Sequence, residues 1–145
     1  MKTNGGFLVT KIKQLGDRIF EKILSKKNVD AFNGAQGRIL YVLWQSDGVP
    51  IKTISETSGL AITSLTTMLE RMEKSGLIKR EQDKSDKRKT LLYLTEKAKA
   101  LKADYDAVSE EMSDIYYKGF SKKEIKEFEE FLDRIRINLE EWNER

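Results

Sequence analysis

The sequence predicts a mostly α-helical fold with one small β-hairpin, arranged as a winged helix-turn-helix core plus a helical lobe built from both termini. Three observations lead to this prediction. Apolar residues recur at intervals of three and four over most of the chain, which is the spacing of amphipathic helices. Residues 50–90 hold two short helical patterns separated by a glycine and followed by two strand-like runs. The segment between those runs is strongly basic.

The N-terminal part of the chain predicts two helices. An apolar stripe at helical spacing begins at Phe7 and continues to a helix end near Lys27, where positive charge suits the helix C-terminus. Asn33 is the predicted N-cap of a second helix, which runs to about Gln45. Residues 46–50 then form a loop into the next helix.

The next two helices form the predicted helix-turn-helix. A short helix over residues 51–58 ends at Gly59, because glycine adopts the left-handed conformation of a helix end at little cost. The second helix spans residues 61–75 and stops at Gly76. Its inward face is predicted to consist of Ile62, Leu65, Leu69 and Met72.

A hairpin follows directly. Residues 77–82 and 90–94 are the predicted strands, and residues 83–89 are too polar to bury and rich in turn formers. Residues 79–89 contain six Lys and Arg against three Asp and Glu. A basic hairpin after a helix-turn-helix is typical of a wing, which reaches the DNA backbone or minor groove. The preceding helix fits the major groove, which is about 12 Å wide.

The C-terminal third predicts two more helices. Thr95 is the predicted N-cap of one long helix that ends at Gly119, and Ser121 with Glu124 forms a capping-box signature for the last helix. We therefore expect a single domain over residues 1–145, with a DNA-binding lobe at 33–95 and a dimerisation lobe from 6–28 and 96–143. The alternative is that these terminal helices fold back on their own subunit.

Residues 62–97 resemble the MarR family of winged helix-turn-helix transcriptional regulators. Three segments carry the resemblance: the helix frame ITSLTTMLERMEKSGLIKR, the wing motif D-x-x-D-x-R and the exit LTEK. The resemblance implies that Arg88 enters the minor groove and that Asp86 holds it in place. Two positions depart from the family pattern, since Thr67 stands where many members have arginine and Ala98 where glycine is common.

The leading interpretation is a homodimeric, sequence-specific regulator of transcription, a repressor, that binds double-stranded DNA at a pseudo-palindromic operator. The candidate DNA-binding residues are Lys52, Thr53 and Lys84 at phosphates, Thr63, Ser64, Thr67, Arg71 and Lys74 on the recognition helix, and Asp86, Lys87, Arg88 and Lys89 in the wing. The alternative is a winged-helix module that binds proteins without specific DNA recognition. A flat response of DNA binding to salt would favour that alternative.

The resemblance also implies a small phenolic or aromatic effector that binds between the two lobes and relieves repression. The candidate lining residues are Leu15, Arg18, Ile19, Phe32, Ile39 and Trp44. Ordinary core packing is the alternative for each of them.

Composition excludes several other function classes. The chain has no cysteine and no histidine, so disulfides, thiol redox sensing and histidine acid–base catalysis are impossible. No phosphate-binding loop or nucleophile motif is present, and we expect no enzyme, no cofactor and no metal. No apolar run approaches the ~20 residues needed to cross a membrane, and no signal-peptide run is present, so we expect a cytoplasmic protein without membrane contact.

Charge is divided unevenly along the chain. Residues 1–103 carry 20 Lys and Arg and 11 Asp and Glu, a net charge of +9. Residues 104–145 carry 7 and 13 respectively, a net charge of −6. A basic body with an acidic C-terminal segment suits a protein that presents one end to nucleic acid, and chance segregation is the alternative.

Overall fold

The computed structural model describes residues 1–27, 29 and 34–145. The predicted N-cap Asn33 and the candidate ligand residue Phe32 lie outside the described residues. The elements are α1 (Gly5–Lys27), α2 (Gly34–Gln45), α3 (Ile51–Ser58), α4 (Ile62–Lys74), β1 (Ile78–Gln82), β2 (Thr90–Leu94), α5 (Glu96–Ala100), α6 (Lys102–Tyr116) and α7 (Lys122–Asn143). The fold is therefore mostly helical with one two-stranded antiparallel hairpin, as predicted.

Two compact units make up the chain, Met1–Ser109 and Glu110–Arg145. The first contains the helix-turn-helix and the hairpin, and the second contains the end of α6 and all of α7. No helix in the described part of the chain combines the length and the apolar character needed to cross a membrane.

The core of the first unit takes one buried face from each of its central elements. The side chains that are almost completely buried include Ile39, Leu40 and Leu43 of α2, Ile54 of α3, Leu65, Leu69 and Met72 of α4, Ile78 of β1, and Leu92 of β2. The predicted inward face of α4 is thus correct for three of its four residues. Ile62 is the exception, because α4 begins at this residue and its first turn extends past the buried layer.

The hairpin pairs Ile78 with Leu94 at its base and Gln82 with Thr90 near its tip. Val49, in the loop before α3, forms an isolated antiparallel bridge with Leu92. The pairing stops at that bridge because the chain enters α3 at Ile51.

The prediction of one long helix after Thr95 is wrong in one respect, because this segment divides into α5 and α6 at Leu101. Thr95 caps α5 as predicted, and its side chain accepts a hydrogen bond from the Ala98 N–H. The Ala98 carbonyl then accepts both the Leu101 N–H and the indole Nε1–H of Trp44, each at 3.2 Å. A side chain that bonds into the helical ladder is a known cause of a helix break.

In the second unit, α6 and α7 are separated by Gly119, which has a φ of 85°. Both hydrogen bonds of the predicted capping box, between Ser121 and Glu124, are present. The Tyr117 ring makes edge contacts with Phe120 and Phe128, and its hydroxyl donates to Glu129 at 3.1 Å. These contacts fix the turn, but most of the apolar face of α7 remains exposed, including Ile135, Leu139 and Trp142.

Candidate nucleic-acid interface

The outward face of α4 presents the side chains that the sequence predicts for the major groove. Thr63, Ser64, Thr67, Arg71 and Lys74 are all exposed. The opposite face is anchored by buried Leu65 and Leu69, which fixes the rotation of the helix about its axis. Ala61 occupies the N-cap position without a side-chain hydrogen bond, and no acidic residue lies in the first turn. The first amides of α4 therefore have no capping oxygen from the N-cap side chain, an arrangement that suits an anionic ligand.

The turn between α3 and α4 is held by hydrogen bonds within the turn and by one from α2. Gly59 has a φ of 75°, as its predicted role as a turn residue requires. The Ser55 hydroxyl donates to the Leu60 carbonyl at 2.6 Å, and the Leu60 N–H donates to Ser58 Oγ at 3.2 Å. Arg38 Nη1 of α2 donates to the Ser58 carbonyl at 3.2 Å. These bonds set the angle at which α4 leaves the turn.

The two phosphate-contact candidates on α3 differ in exposure. Lys52 is exposed and lies 4.0 Å from the carboxylate of Glu56, a distance at which a surface ion pair contributes little. Thr53 is half-buried, and its backbone N–H donates to the Pro50 carbonyl at 3.0 Å.

The wing tip (residues 83–89) is closed by two aspartates. Asp83 Oδ1 accepts hydrogen bonds from the backbone N–H and the hydroxyl of Ser85, at 2.9 and 2.8 Å. Asp86 accepts from the Arg88 backbone N–H and from its guanidinium Nε and Nη2, at 3.1, 3.1 and 3.3 Å. Hydrogen bonds from Ser85 lower the pKa of Asp83, and hydrogen bonds from the Arg88 side chain and backbone lower the pKa of Asp86.

Arg88 is held in orientation yet remains open to solvent. Its side chain is 90% exposed, whereas that of Asp86 is only 28% exposed. Lys84, Lys87 and Lys89 are exposed around it, and Lys84 and Lys87 form no ion pair with any residue that the structure describes. The tip is therefore a cationic edge with one oriented guanidinium, which suits the narrow, electronegative minor groove of DNA.

The base of the wing (residues 78–82 and 90–94) is attached to the helix-turn-helix by contacts that the sequence analysis missed. Asp47 Oδ1 accepts the Leu94 N–H at 2.8 Å, and the Thr95 hydroxyl donates to the Gly76 carbonyl at 2.6 Å. Arg80 Nε of β1 lies 3.4 Å from Glu73 of α4. The bonds of Asp47 and Thr95 join positions far apart in sequence, so no local pattern could have revealed them.

A cavity of about 320 Å³ lies in the first unit beside α1 and α2. Its lining includes Lys13, Asp17, Arg38, Tyr41 and Tyr105. Burial raises the pKa of the Tyr105 hydroxyl. The cavity thus combines two phenol rings with side chains of both charge signs.

Five of the six residues that the sequence predicts for a ligand lie elsewhere, and the sixth, Phe32, is outside the described residues. Leu15 and Arg18 are exposed on α1, and Ile19 is half-buried. Ile39 is fully buried in the core, and the Trp44 indole donates to the Ala98 carbonyl. None of these five lines the cavity, and the ligand assignment stays a prediction. Within the described residues, no group of three carboxylates could hold a metal ion.

Residues 32–90 match the sequence model of the MarR family. The HTH-type transcriptional regulator TtmR of Methylorubrum extorquens (strain PA1) is 36% identical over 70 residues, which are 48% of this chain. The match spans only about a third of TtmR, 36% of its length. The HTH-type transcriptional regulator MgrA of Staphylococcus aureus is 25% identical over 133 residues, covering 92% of this chain and 87% of MgrA.

Solved structures share the fold over almost the whole chain. The transcriptional regulator SlyA superposes with a TM-score of 0.84 at 24% identity, covering 97% of this chain and 98% of SlyA. Bordetella bronchiseptica BpsR, whose DNA binding is regulated by 6-hydroxynicotinic acid, gives 0.80 at 19% identity, covering 92% and 99%. A MarR variant from E. coli complexed with operator DNA gives 0.78 at 22% identity, covering 90% and 91%.

Proposed function

The chain belongs to the MarR family of DNA-binding transcriptional regulators, and from this premise we propose that it represses transcription as a homodimer bound to a pseudo-palindromic operator. In this proposal α4 lies in the major groove and the wing tip lies in the adjacent minor groove. The E. coli MarR variant complexed with operator DNA, which shares this fold, supports the proposal.

The single observation that carries the proposal is the joint exposure of the α4 outward face and the oriented Arg88. The α4 face supplies hydroxyls and the two cations Arg71 and Lys74, which can bond to bases and phosphates. Arg88 supplies a guanidinium that is held by Asp86 and open to solvent. A solvated helix face explains the first feature alone, but it does not explain an oriented cation on an adjacent hairpin.

Exposed apolar faces on α1 and α7 support the homodimer. On α1 they include Phe7, Leu8 and Ile12, and on α7 they include Leu139 and Trp142. Large exposed apolar patches on a single chain mark interaction sites. Two modules related by a twofold axis would contact half-sites one helical turn apart, about 34–36 Å, which gives the specificity that one module lacks.

We also propose that a small aromatic anion relieves repression. It would do so by shifting the equilibrium between conformations that bind DNA well and poorly. The cavity between α1 and α2, with Tyr41 and Tyr105 in its lining, is the candidate site. BpsR, a protein of the same fold, responds to 6-hydroxynicotinic acid. A ligand of this chain would weaken DNA binding only if it favoured the conformation that binds DNA poorly.

Fluorescence anisotropy with labelled duplexes tests the DNA-binding part of the proposal. The two duplexes are random-sequence DNA and the DNA upstream of the gene for this protein, each measured across a salt series. We expect preferential binding to the upstream DNA, two protomers per site by sedimentation, and affinity that falls steeply with salt. Weak, equal and salt-independent binding to both duplexes would favour the alternative of a protein-interaction module.

The effector part is tested separately with 6-hydroxynicotinic acid and benzoate as probes. We expect at least one of them to weaken binding to the upstream DNA while leaving random-duplex binding less affected. A Tyr41→Ala variant should reduce this response, and Tyr116→Ala, at an exposed tyrosine outside the cavity, serves as the matched control. Unchanged operator affinity with both probes would remove relief by aromatic anions of this kind from the proposal.

A further inference from the structure

One apolar side chain stands apart from the rest of the DNA-binding module. Within residues 42–114, all of which the structure describes, Ile62 is the single large hydrophobic side chain that is exposed, at 48%. Among the described residues, the other exposed large hydrophobics are Met1, residues of α1, Tyr41 in the lining of the cavity, and residues from Ile115 onward. The exposed Ile62 is therefore not part of the exposed apolar faces of the N-terminal and C-terminal helices.

The place of Ile62 on α4 directs its side chain toward the end of the helix. It is the first residue of α4, and the Cα–Cβ bond of a helical residue tilts toward the helix N-terminus. Leu65 and Leu69 continue the same stripe but are fully buried, so the stripe leaves the core at Ile62. The Thr66 hydroxyl, one turn further along α4, donates to the Ile62 carbonyl at 2.9 Å. This hydroxyl is therefore engaged in a hydrogen bond within the helix.

The chemistry of the major groove offers a limited choice of partners for an apolar side chain. Recognition helices contact base edges with their N-terminal residues. Of the groups that the four base pairs present in that groove, the C5 methyl of thymine is the apolar one. We propose that Ile62 packs against a thymine methyl group and thereby determines the base at one position of each half-site.

This inference rests on the proposed DNA-binding function and adds a specificity-determining residue to it. The neighbouring Thr63 and Ser64 offer hydroxyls, which bond to several bases and discriminate weakly between them. The apolar contact of Ile62 supplies selectivity that these hydroxyls lack. It also locates that selectivity in the first turn of α4, ahead of Thr67.

The test isolates the methyl group on the DNA side. Duplexes are selected from a random-sequence library by the wild-type protein, and each thymine of the selected site is replaced in turn by deoxyuridine, which removes only the C5 methyl. We expect one thymine per half-site at which this replacement lowers wild-type affinity by about fourfold, the effect of uncovering one methylene-sized group. The other thymines of the site serve as internal controls.

On the protein side, Ile62 is replaced in turn by other side chains, which completes a double-mutant cycle with the deoxyuridine duplexes. Because Ile62 is 48% exposed, the fold should persist in each variant, and a melting curve checks this. Ile62→Ala should bind the thymine and deoxyuridine duplexes equally, and Ile62→Val should retain part of the difference. Ile62→Asn should select adenine at the same position, because an asparagine side chain pairs with the adenine edge. The difference between wild type and Ile62→Ala measures the coupling directly.

Three results would overturn the inference, and they are distinguishable. Wild-type affinity that is unchanged by deoxyuridine at every thymine removes the methyl contact. A deoxyuridine effect that persists in Ile62→Ala assigns the contact to another residue. Failure of the wild-type protein to enrich any duplex over random DNA refutes the proposed function itself, and the role of Ile62 falls with it.

Discussion

The carboxylate of Asp47 accepts a hydrogen bond from the backbone N–H of Leu94, with 2.8 Å between Oδ1 and N. Asp47 lies in the loop after α2, and Leu94 is the last residue of β2 and is buried. The same loop adds a bond from the Gly48 N–H to the Leu92 carbonyl at 3.0 Å. The wing is thus attached to the body of the first unit at its base, while its tip remains free to approach DNA.

Replacing Asp47 by Ala should destabilise the wing. The substitution leaves the buried Leu94 N–H without an acceptor, which costs about 1–3 kcal/mol. Chemical denaturation measures this loss, and hydrogen exchange should show faster exchange of the Leu94 amide. Asp47→Asn retains a carbonyl oxygen at the same place and should lose less. Unchanged protection of the Leu94 amide in Asp47→Ala would contradict the assigned bond.

Two glycines with nearly the same backbone conformation should respond differently to alanine. Gly48 has a φ of 71° and Gly59 a φ of 75°, so each substitution carries the strain of a left-handed residue, about 1–2 kcal/mol. A Cβ at Gly48 would lie 2.6 Å from Cε1 of Tyr93, whereas no heavy atom of the described residues, apart from Gly59 and its two chain neighbours, lies within 4 Å of a Cβ at Gly59.

Gly48→Ala should therefore be the more destabilising of the two, by about 1 kcal/mol from overpacking. Urea denaturation of both variants measures the difference. In a Tyr93→Ala background the two substitutions should become equal, since the ring that causes the clash is gone. Equal effects in the native background would show that the Tyr93 ring moves aside freely.

Arg88→Ala should weaken operator binding by about 1–3 kcal/mol and flatten its salt dependence. Each lost phosphate-region charge reduces the slope of log affinity against log salt by about 0.9, so the proposed homodimer, which would lose two charges, should lose about twice that. Anisotropy titrations across a salt series measure both quantities. Lys118→Ala, an exposed cation in the turn between α6 and α7, is the control and should change neither.

Asp86→Asn separates orientation from charge at the same site. The variant keeps the Arg88 charge but loses the charged acceptor for its guanidinium. Removing a carboxylate near DNA would by itself strengthen binding, so a fall in affinity without a fall in the salt slope isolates the loss of orientation. A slope that falls as far as in Arg88→Ala would show that Asp86 acts by another route than orientation.

The structure of the wing tip should be unchanged as the pH falls to the ordinary pKa of an aspartate. The hydrogen bonds of the tip should weaken only below that pH. In the folded hairpin the pKa values of Asp83 and Asp86 lie below 3.8 because hydrogen bonds favour the ionised forms. Their stabilising contribution is therefore complete above that value and is lost as pH falls through the lowered pKa values. Carboxyl-carbon NMR titration measures both midpoints.

Ser85→Ala tests the cause of the shift at Asp83. Removing the hydroxyl should raise the pKa of Asp83 only part of the way toward 3.8, because the backbone N–H of residue 85 still donates to this carboxylate. Asp86, whose partner is Arg88, should titrate as before. A comparable rise at Asp86 would mean that the tip responds as one cooperative unit.

Local chemistry made the boundaries of several elements predictable. The predicted helix over residues 51–58 and the predicted strand over 90–94 coincide with α3 and β2. Gly59, Thr95 and the Ser121–Glu124 box occupy the roles assigned to them, because a left-handed turn and an N-cap depend on residues within a few positions. The wing pair of Asp86 and Arg88 is equally local, two residues apart, and the sequence motif identifies it.

The break at Leu101 and the exposure of Ile62 could not be predicted in this way. Leu101 continues a good helical pattern, and the break depends on the indole of Trp44, which comes from α2. Ile62 has the correct spacing for the core, and only the extent of the packed layer leaves it exposed. The position of the cavity beside α1 and α2 depends likewise on how helices distant in sequence pack.

By itself the sequence determined which segments are helical or extended, where several of these elements begin or end, and which face of most of them is apolar, because periodicity and capping act over one or two turns. Tertiary structure alone decided the attachment of the wing through Asp47 and Leu94, the division of α5 from α6, and the exposure of Ile62. Each of these depends on atoms that meet across many residues of chain, and nothing in local spacing specifies which distant group arrives.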